Sequence, residues 1–140
     1  MIWGHGYLLE ACAMQVWVID DEEYMRSRVV PPMVLARWPD AQITAFDALA
    51  TAIYKERAVD LIIIDITSVC PIMRATLAYG PICDLLEKHP GVTLIINSAL
   101  PLYVTDVVRK SILEFLPDAK VLLSPFPCHI NLPRVLGEVV

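Results

Sequence analysis

The chain has no clustered stripe of Lys and Arg, no Cys-x-x-Cys pair, and no apolar run near the roughly 18 residues that cross a bilayer. Each absence excludes something. A formal charge of -5 and a pI near 5.0 argue against a nucleic-acid surface, so any DNA-directed output would need a partner. Cys12, Cys70, Cys83 and Cys128 show none of the close pairing that marks redox or zinc motifs. The first residues carry neither the basic nor the long apolar region of a secretory signal. The expectation is a cytoplasmic chain with reduced thiols and no membrane contact. A second domain has no room in 140 residues. One domain of this size buries a full core without staples.

What is present is apolar, at 56% hydrophobic residues and a mean hydropathy of +0.56, and it is gathered in short runs. Val16-Trp17-Val18-Ile19 stops on Asp20 and Asp21, and Leu61-Ile62-Ile63-Ile64 stops on Asp65. Thr93-Leu94-Ile95-Ile96-Asn97 ends on Ser98, and Val121-Leu122-Leu123 on Ser124-Pro125. Runs of this length, rich in β-branched residues and separated by helical patterns, predict parallel strands covered on both faces. The carboxyl ends of such strands share one edge, where ligands of open α/β sheets bind. One acidic pocket is the consequence.

Residues 1–13 match nothing downstream and read as an appended extension. They are either foreign to the domain or an arm packed on it or on a second copy, and the domain itself spans 14–140. Glu22 to Trp38 is the expected first helix, with Tyr24, Val29, Val30, Met33, Val34, Leu35 and Trp38 as a broad buried stripe. Pro31-Pro32 predicts a kink or break near Val30, because an interior proline costs about 3 kcal/mol. A strand over Ala41–Ala45 and a helix over Asp47–Arg57 follow, then a strand over Asp60–Ile66. Thr67 to Gly80 is either a long loop or one or two helical turns folded over the pocket. Pro81 opens a third helix, as proline does at first helical positions. The remaining pattern gives a strand at Thr93–Asn97, a helix from Leu102 or Thr105 to Leu116, a strand at Lys120–Leu123 and a helix at Leu132–Val140. Right-handed crossovers fold this order into a three-layer α/β/α sandwich.

The order of strands, with Asp20-Asp21-Glu22, Asp65, Ser98-Ala99 and Pro125-Phe126 at four strand ends, resembles the receiver domain of bacterial response regulators. That family is CheY-like, a flavodoxin-like fold with a five-stranded parallel sheet in the order 2-1-3-4-5. The resemblance implies that Asp65 is a phosphoacceptor and that Asp20, Asp21, Asp65 and the backbone carbonyl of Thr67 hold Mg²⁺ or Mn²⁺ weakly. Ser98 matches the switch hydroxyl. It implies further a stand-alone signalling module of a two-component phosphorelay rather than an enzyme. Its partners would be a histidine kinase, a phosphotransfer protein or its own copy. The residues agree, since three crowded carboxylates repel and a hard cation with oxygen ligands relieves them.

The main departure is Ser124, which stands where the family has a lysine before the proline. Lys120 lies about 13 Å upstream at strand rise, too far to substitute. Val121 replaces an aromatic switch residue. These changes predict impaired phosphorylation-dependent switching, or a pseudo-receiver that acts by contact or dimerisation alone. Arg74 could restore the missing charge. Cys70 and Cys128-His129 could also form a thiol or transition-metal site at the same edge. A haloacid-dehalogenase-like phosphatase would need an aspartate where Thr67 stands, and a flavodoxin-like phosphate loop would be repelled by Asp20-Asp21-Glu22.

Overall fold

A computed structural model describes residues 13–140. The extension expected over residues 1–13 lies outside the described residues, except for Ala13. The apolar runs form strands β1 (Gln15–Ile19), β2 (Gln42–Phe46), β3 (Leu61–Ile64), β4 (Thr93–Asn97) and β5 (Lys120–Ser124). They make one parallel sheet in the order β2-β1-β3-β4-β5. The order reverses between β1 and β3.

Side-chain alternation divides this sheet between two cores. Trp17, Ile62, Leu94 and Val121 stand in register, with Ile19, Ile64 and Ile96 as the next row, and they pack with Ala52, Ile82, Leu85, Val108 and Ile112. On the other face Val18, Ile63, Ile95 and Leu122 form a row that packs with Val30, Val34, Leu132 and Val135. A one-residue slip would exchange the two faces, so the cores set the register. Helix α1, a π-helical segment Met25–Val29 continued by an α-helix Val30–Arg37, and α5 (Cys128–Leu136) cover the second face. Helices α2 (Leu49–Ala52), α3 (Tyr79–Glu87) and α4 (Leu102–Phe115) cover the first.

The double proline does not break α1. Proline rings crowd the carbonyl four residues back, and a π turn moves that carbonyl out of the way. The Val30 N–H accordingly donates to the Met25 carbonyl, five residues back. The buried stripe is narrower than expected: Val30 and Val34 are buried, whereas Tyr24 and Leu35 are exposed.

Three other helices differ from their sequence pattern. The second is one turn rather than Asp47–Arg57: Tyr54 is 81% exposed, and no residue from Tyr54 to Ala58 is buried. Helix α3 begins at Tyr79, with Pro81 at its third position. Helix α5 begins at Cys128 rather than Leu132 and tolerates Pro133 inside it. Leu132, Val135 and Leu136 still face the core, as does Val139 beyond its end. After β3 the chain makes two 3-10 turns, Ile66–Ser68 and Ile72–Leu77. The second packs against α4 and not over the acidic edge. Among the described residues no helix is long and apolar enough to cross a membrane.

Candidate functional site

The carboxyl ends of β1 and β3 bring three acidic residues together. One carboxylate oxygen each from Asp20, Asp21 and Asp65 lies within 4.8 Å of the others. Asp20 follows the last residue of β1 and is only 3% exposed. Its Oδ1 accepts from the Glu22 N–H at 2.9 Å. Asp21 is exposed, and its Oδ1 accepts the Thr67 hydroxyl at 2.9 Å. Asp65 accepts the Thr67 N–H at 3.4 Å. Thr67 thereby ties two of the carboxylates.

Burial dominates the electrostatics. It raises the Asp20 carboxyl to about 7, against the Glu22 N–H, and the nearby charges of Asp65, Asp21 and Glu22 add to the rise. Asp65 is also raised, first by burial and then by Asp21, while Thr67 and the Ser98 hydroxyl oppose the shift. Crowded carboxylates that resist ionising together are the kind of group whose repulsion a hard divalent cation relieves. The all-oxygen donor set fits Mg²⁺ or Mn²⁺. Among the described residues no other group of three His, Cys, Asp or Glu side chains could hold a metal.

The cluster opens into a cleft of about 430 Å³, whose walls include Asn97, Ser98, Phe126, Cys128 and His129. Ser98 is buried; its oxygen accepts the Leu100 N–H at 3.2 Å, and its proton remains for Asp65. Ser124 is buried too, and its hydroxyl donates to Asn97 Oδ1 at 3.1 Å. It is not among the residues that line the cleft. No Lys or Arg is among the lining residues.

The other candidates separate. Arg74 is exposed on the second 3-10 turn and does not line the cleft. Lys120 lines a depression with Met14, Asp60 and Thr93 at the opposite edge. Cys128 and His129 reach the cleft but Cys70 does not. Cys70 instead donates to the Arg74 carbonyl at 3.2 Å, so the described residues form no joint thiol site. Burial raises the Cys70 and Cys128 thiols and keeps them protonated.

Three contributors were not singled out from the sequence. The Ser68 hydroxyl donates to the Asp65 carbonyl, and Arg26 reaches the Asp20 carbonyl at 3.1 Å. Asn97 is the third. Its signal was present: a polar residue ends an otherwise apolar buried strand one position before Ser98.

No protein-family model matches the chain, and no curated protein does. Solved structures do. Response regulator DrrB of Thermotoga maritima, an OmpR/PhoB homolog, superposes at TM-score 0.57 and 16% identity over 89% of this chain and 49% of its own. A Burkholderia pseudomallei response regulator with a phosphorylated aspartic acid, a calcium ion and citrate gives 0.56 and 13%, over 91% of this chain and 66% of that one. A Burkholderia thailandensis chain assigned to pilus assembly (CpaE) gives 0.61 and 15%, over 89% and 93%. The chain thus spans about half the length of DrrB. At these identities the likeness establishes the fold, the doubly wound five-stranded sheet of response-regulator receiver domains.

Proposed function

We propose that this chain is a receiver-like signalling module in which Asp65 accepts a phosphoryl group from a histidine kinase or a phosphotransfer protein. The observation that carries the reading is the convergence of Asp20, Asp21 and Asp65 within 4.8 Å, beside a cleft whose wall includes the Ser98 hydroxyl. Asp20, Asp21, Asp65 and the Thr67 carbonyl would hold Mg²⁺ or Mn²⁺. Such an ion neutralises charge on the transferring group when bound. An Asp65 oxygen forms the new bond to phosphorus as the donor's nitrogen–phosphorus bond breaks. Thr67 orients the carboxylates, and the module then acts through protein contacts.

The same cleft supports impaired switching. No Lys or Arg lines it, so the lysine ion pair that would couple the phosphoryl group to the Ser98 loop is missing. Incubation with acetyl phosphate and Mg²⁺, followed by intact-mass measurement, should add one phosphoryl group that Asp65→Asn abolishes. Loading should move the resonances of the Ser98 loop and α4 little. Ser124→Lys should enlarge that response. A wild-type chain that never acquires the added mass would leave the second reading, a phosphorylation-independent interaction or dimerisation module. The missing cation favours that reading too.

A further inference from the structure

Asn97 and Ser124 end neighbouring strands as register partners, and both are buried, at 5% and 1% exposed. A primary amide carries its acceptor at one end and its two donors at the other. The Ser124 hydroxyl occupies the acceptor, at 3.1 Å from Oδ1, and so fixes the amide plane. Its NH₂ group therefore lies at the opposite end of the amide, away from Ser124. Asn97 and Cys128 both line the cleft with Asp20 and Asp65. Because Ser124 serves the oxygen, the two amide protons are the donors left to the cleft. A strand end buried this deeply favours Leu or Val unless the polar group has a partner to serve.

We propose that Asn97, oriented by Ser124, is the neutral donor for a phosphoryl oxygen on Asp65, in the place where an ammonium group is missing. The inference rests on Asp65 being the phosphoacceptor. It also gives Ser124 a role: the residue acts from behind as a positioning residue and does not face the ligand. A neutral amide gives a weaker bond than a charge-assisted one, which fits a module that loads without switching fully.

The test uses the full chain with Mg²⁺ and beryllofluoride as the phosphoryl mimic. Loading should shift the Asn97 side-chain NH₂ resonances in ¹⁵N-labelled protein. Asn97→Leu should weaken beryllofluoride binding by about tenfold or more, as loss of a hydrogen bond to a charged group does. Asn97→Asp, of nearly equal size but with acceptors only, should weaken it further. Ser124→Ala should give a smaller loss and broaden the Asn97 amide signals. A wild type that loads while Asn97→Leu binds equally well, or while its Asn97 amide signals stay fixed, overturns the inference alone. A wild type that does not load, and that Asp65→Asn leaves unchanged, removes the phosphoacceptor reading and the inference with it. Should Asn97→Leu fail to fold, Ser124→Ala and the wild-type amide signals decide.

Discussion

The two edges of this sheet treat their buried titratable groups by the same physics and arrive at different places. At the carboxyl edge, burial raises Asp20 to about 7. At the amino edge, burial lowers His89, whose Nε2 is buried without a partner and whose ring meets Trp17 edge-on at 4.9 Å. Both groups are pushed toward their neutral forms. The edges differ in company. Asp20 sits among Asp65, Asn97 and Ser98 in one cleft, whereas the 310 Å³ groove at His89 is walled mainly by Leu86, Val92, Phe115, Leu116 and Ala119. Convergent polar groups, not a perturbed group alone, mark a site.

The comparison is broken most directly at Asp20. Its folded value of about 7 against an ordinary 3.8 means that the folded chain holds a proton the unfolded chain has released between those pH values. Stability contributed by neutral Asp20 is full below about 4 and is lost as pH rises through about 7. Asp20→Asn should therefore stabilise the metal-free chain at pH 8 by about 2–4 kcal/mol and have little effect near pH 4. Urea midpoints measured across that range check it. Equal midpoints for variant and wild type at pH 8 would mean that the edge is not strained by its carboxylates.

Divalent cations sharpen the contrast, because they should act at one edge only. Mg²⁺ at tenfold its dissociation constant should stabilise the fold by about 1.4 kcal/mol, since it binds the native state alone. Asp20→Asn should abolish the gain and His89→Phe should leave it intact. A melting temperature indifferent to millimolar Mg²⁺ in the wild type would refute the metal site.

At the amino edge the effect is smaller and opposite in sign. A lowered His89 supports the fold above its unfolded value of about 6.5 and loses that contribution as pH falls. His89→Phe preserves an aromatic contact with Trp17 and removes the unpartnered nitrogen. It should flatten the loss between pH 7 and 5 by about 1 kcal/mol. An unchanged acid limb would assign that loss to other groups. Gly91 in the same turn adopts φ +87, and a methyl group added there would meet no neighbouring atom. Gly91→Ala should therefore cost about 1 kcal/mol from backbone conformation alone.

The strands and the acidic cluster were legible because both depend on local signals. β-Branched runs such as Leu61 to Ile64 have few alternatives to a buried strand, and a carboxylate directly after such a run must lie at its end. Helix boundaries were less legible, because prolines act through context. Pro31-Pro32 reads as a break, but a π turn absorbs it, and Pro133, which falls in the first turn of a helix read from Leu132, sits inside α5. The direction of a side chain was least legible. Ser124 was read against the lysine of the resembled family, yet only the register of β4 with β5 reveals that it faces Asn97.

The smallest expected effect belongs to residues 1–13, which precede β1 in the chain. The tie between β1 and its neighbours begins at Met14, whose carbonyl accepts the Gln42 N–H at 2.8 Å. The Gln15 N–H then donates to Asp60 Oδ2 at 2.8 Å, and its carbonyl accepts the Asp60 N–H at 2.9 Å. A chain beginning at Met14 therefore keeps all of these bonds and every described residue of both cores. Its unfolding free energy should match that of the full chain within about 0.5 kcal/mol, the range of changes away from packed features. Sedimentation should show the same oligomeric state for both. Aggregation of the shortened chain, or loss of a dimer that the full chain forms, would instead identify the segment as a packed arm and make the amino edge an interface.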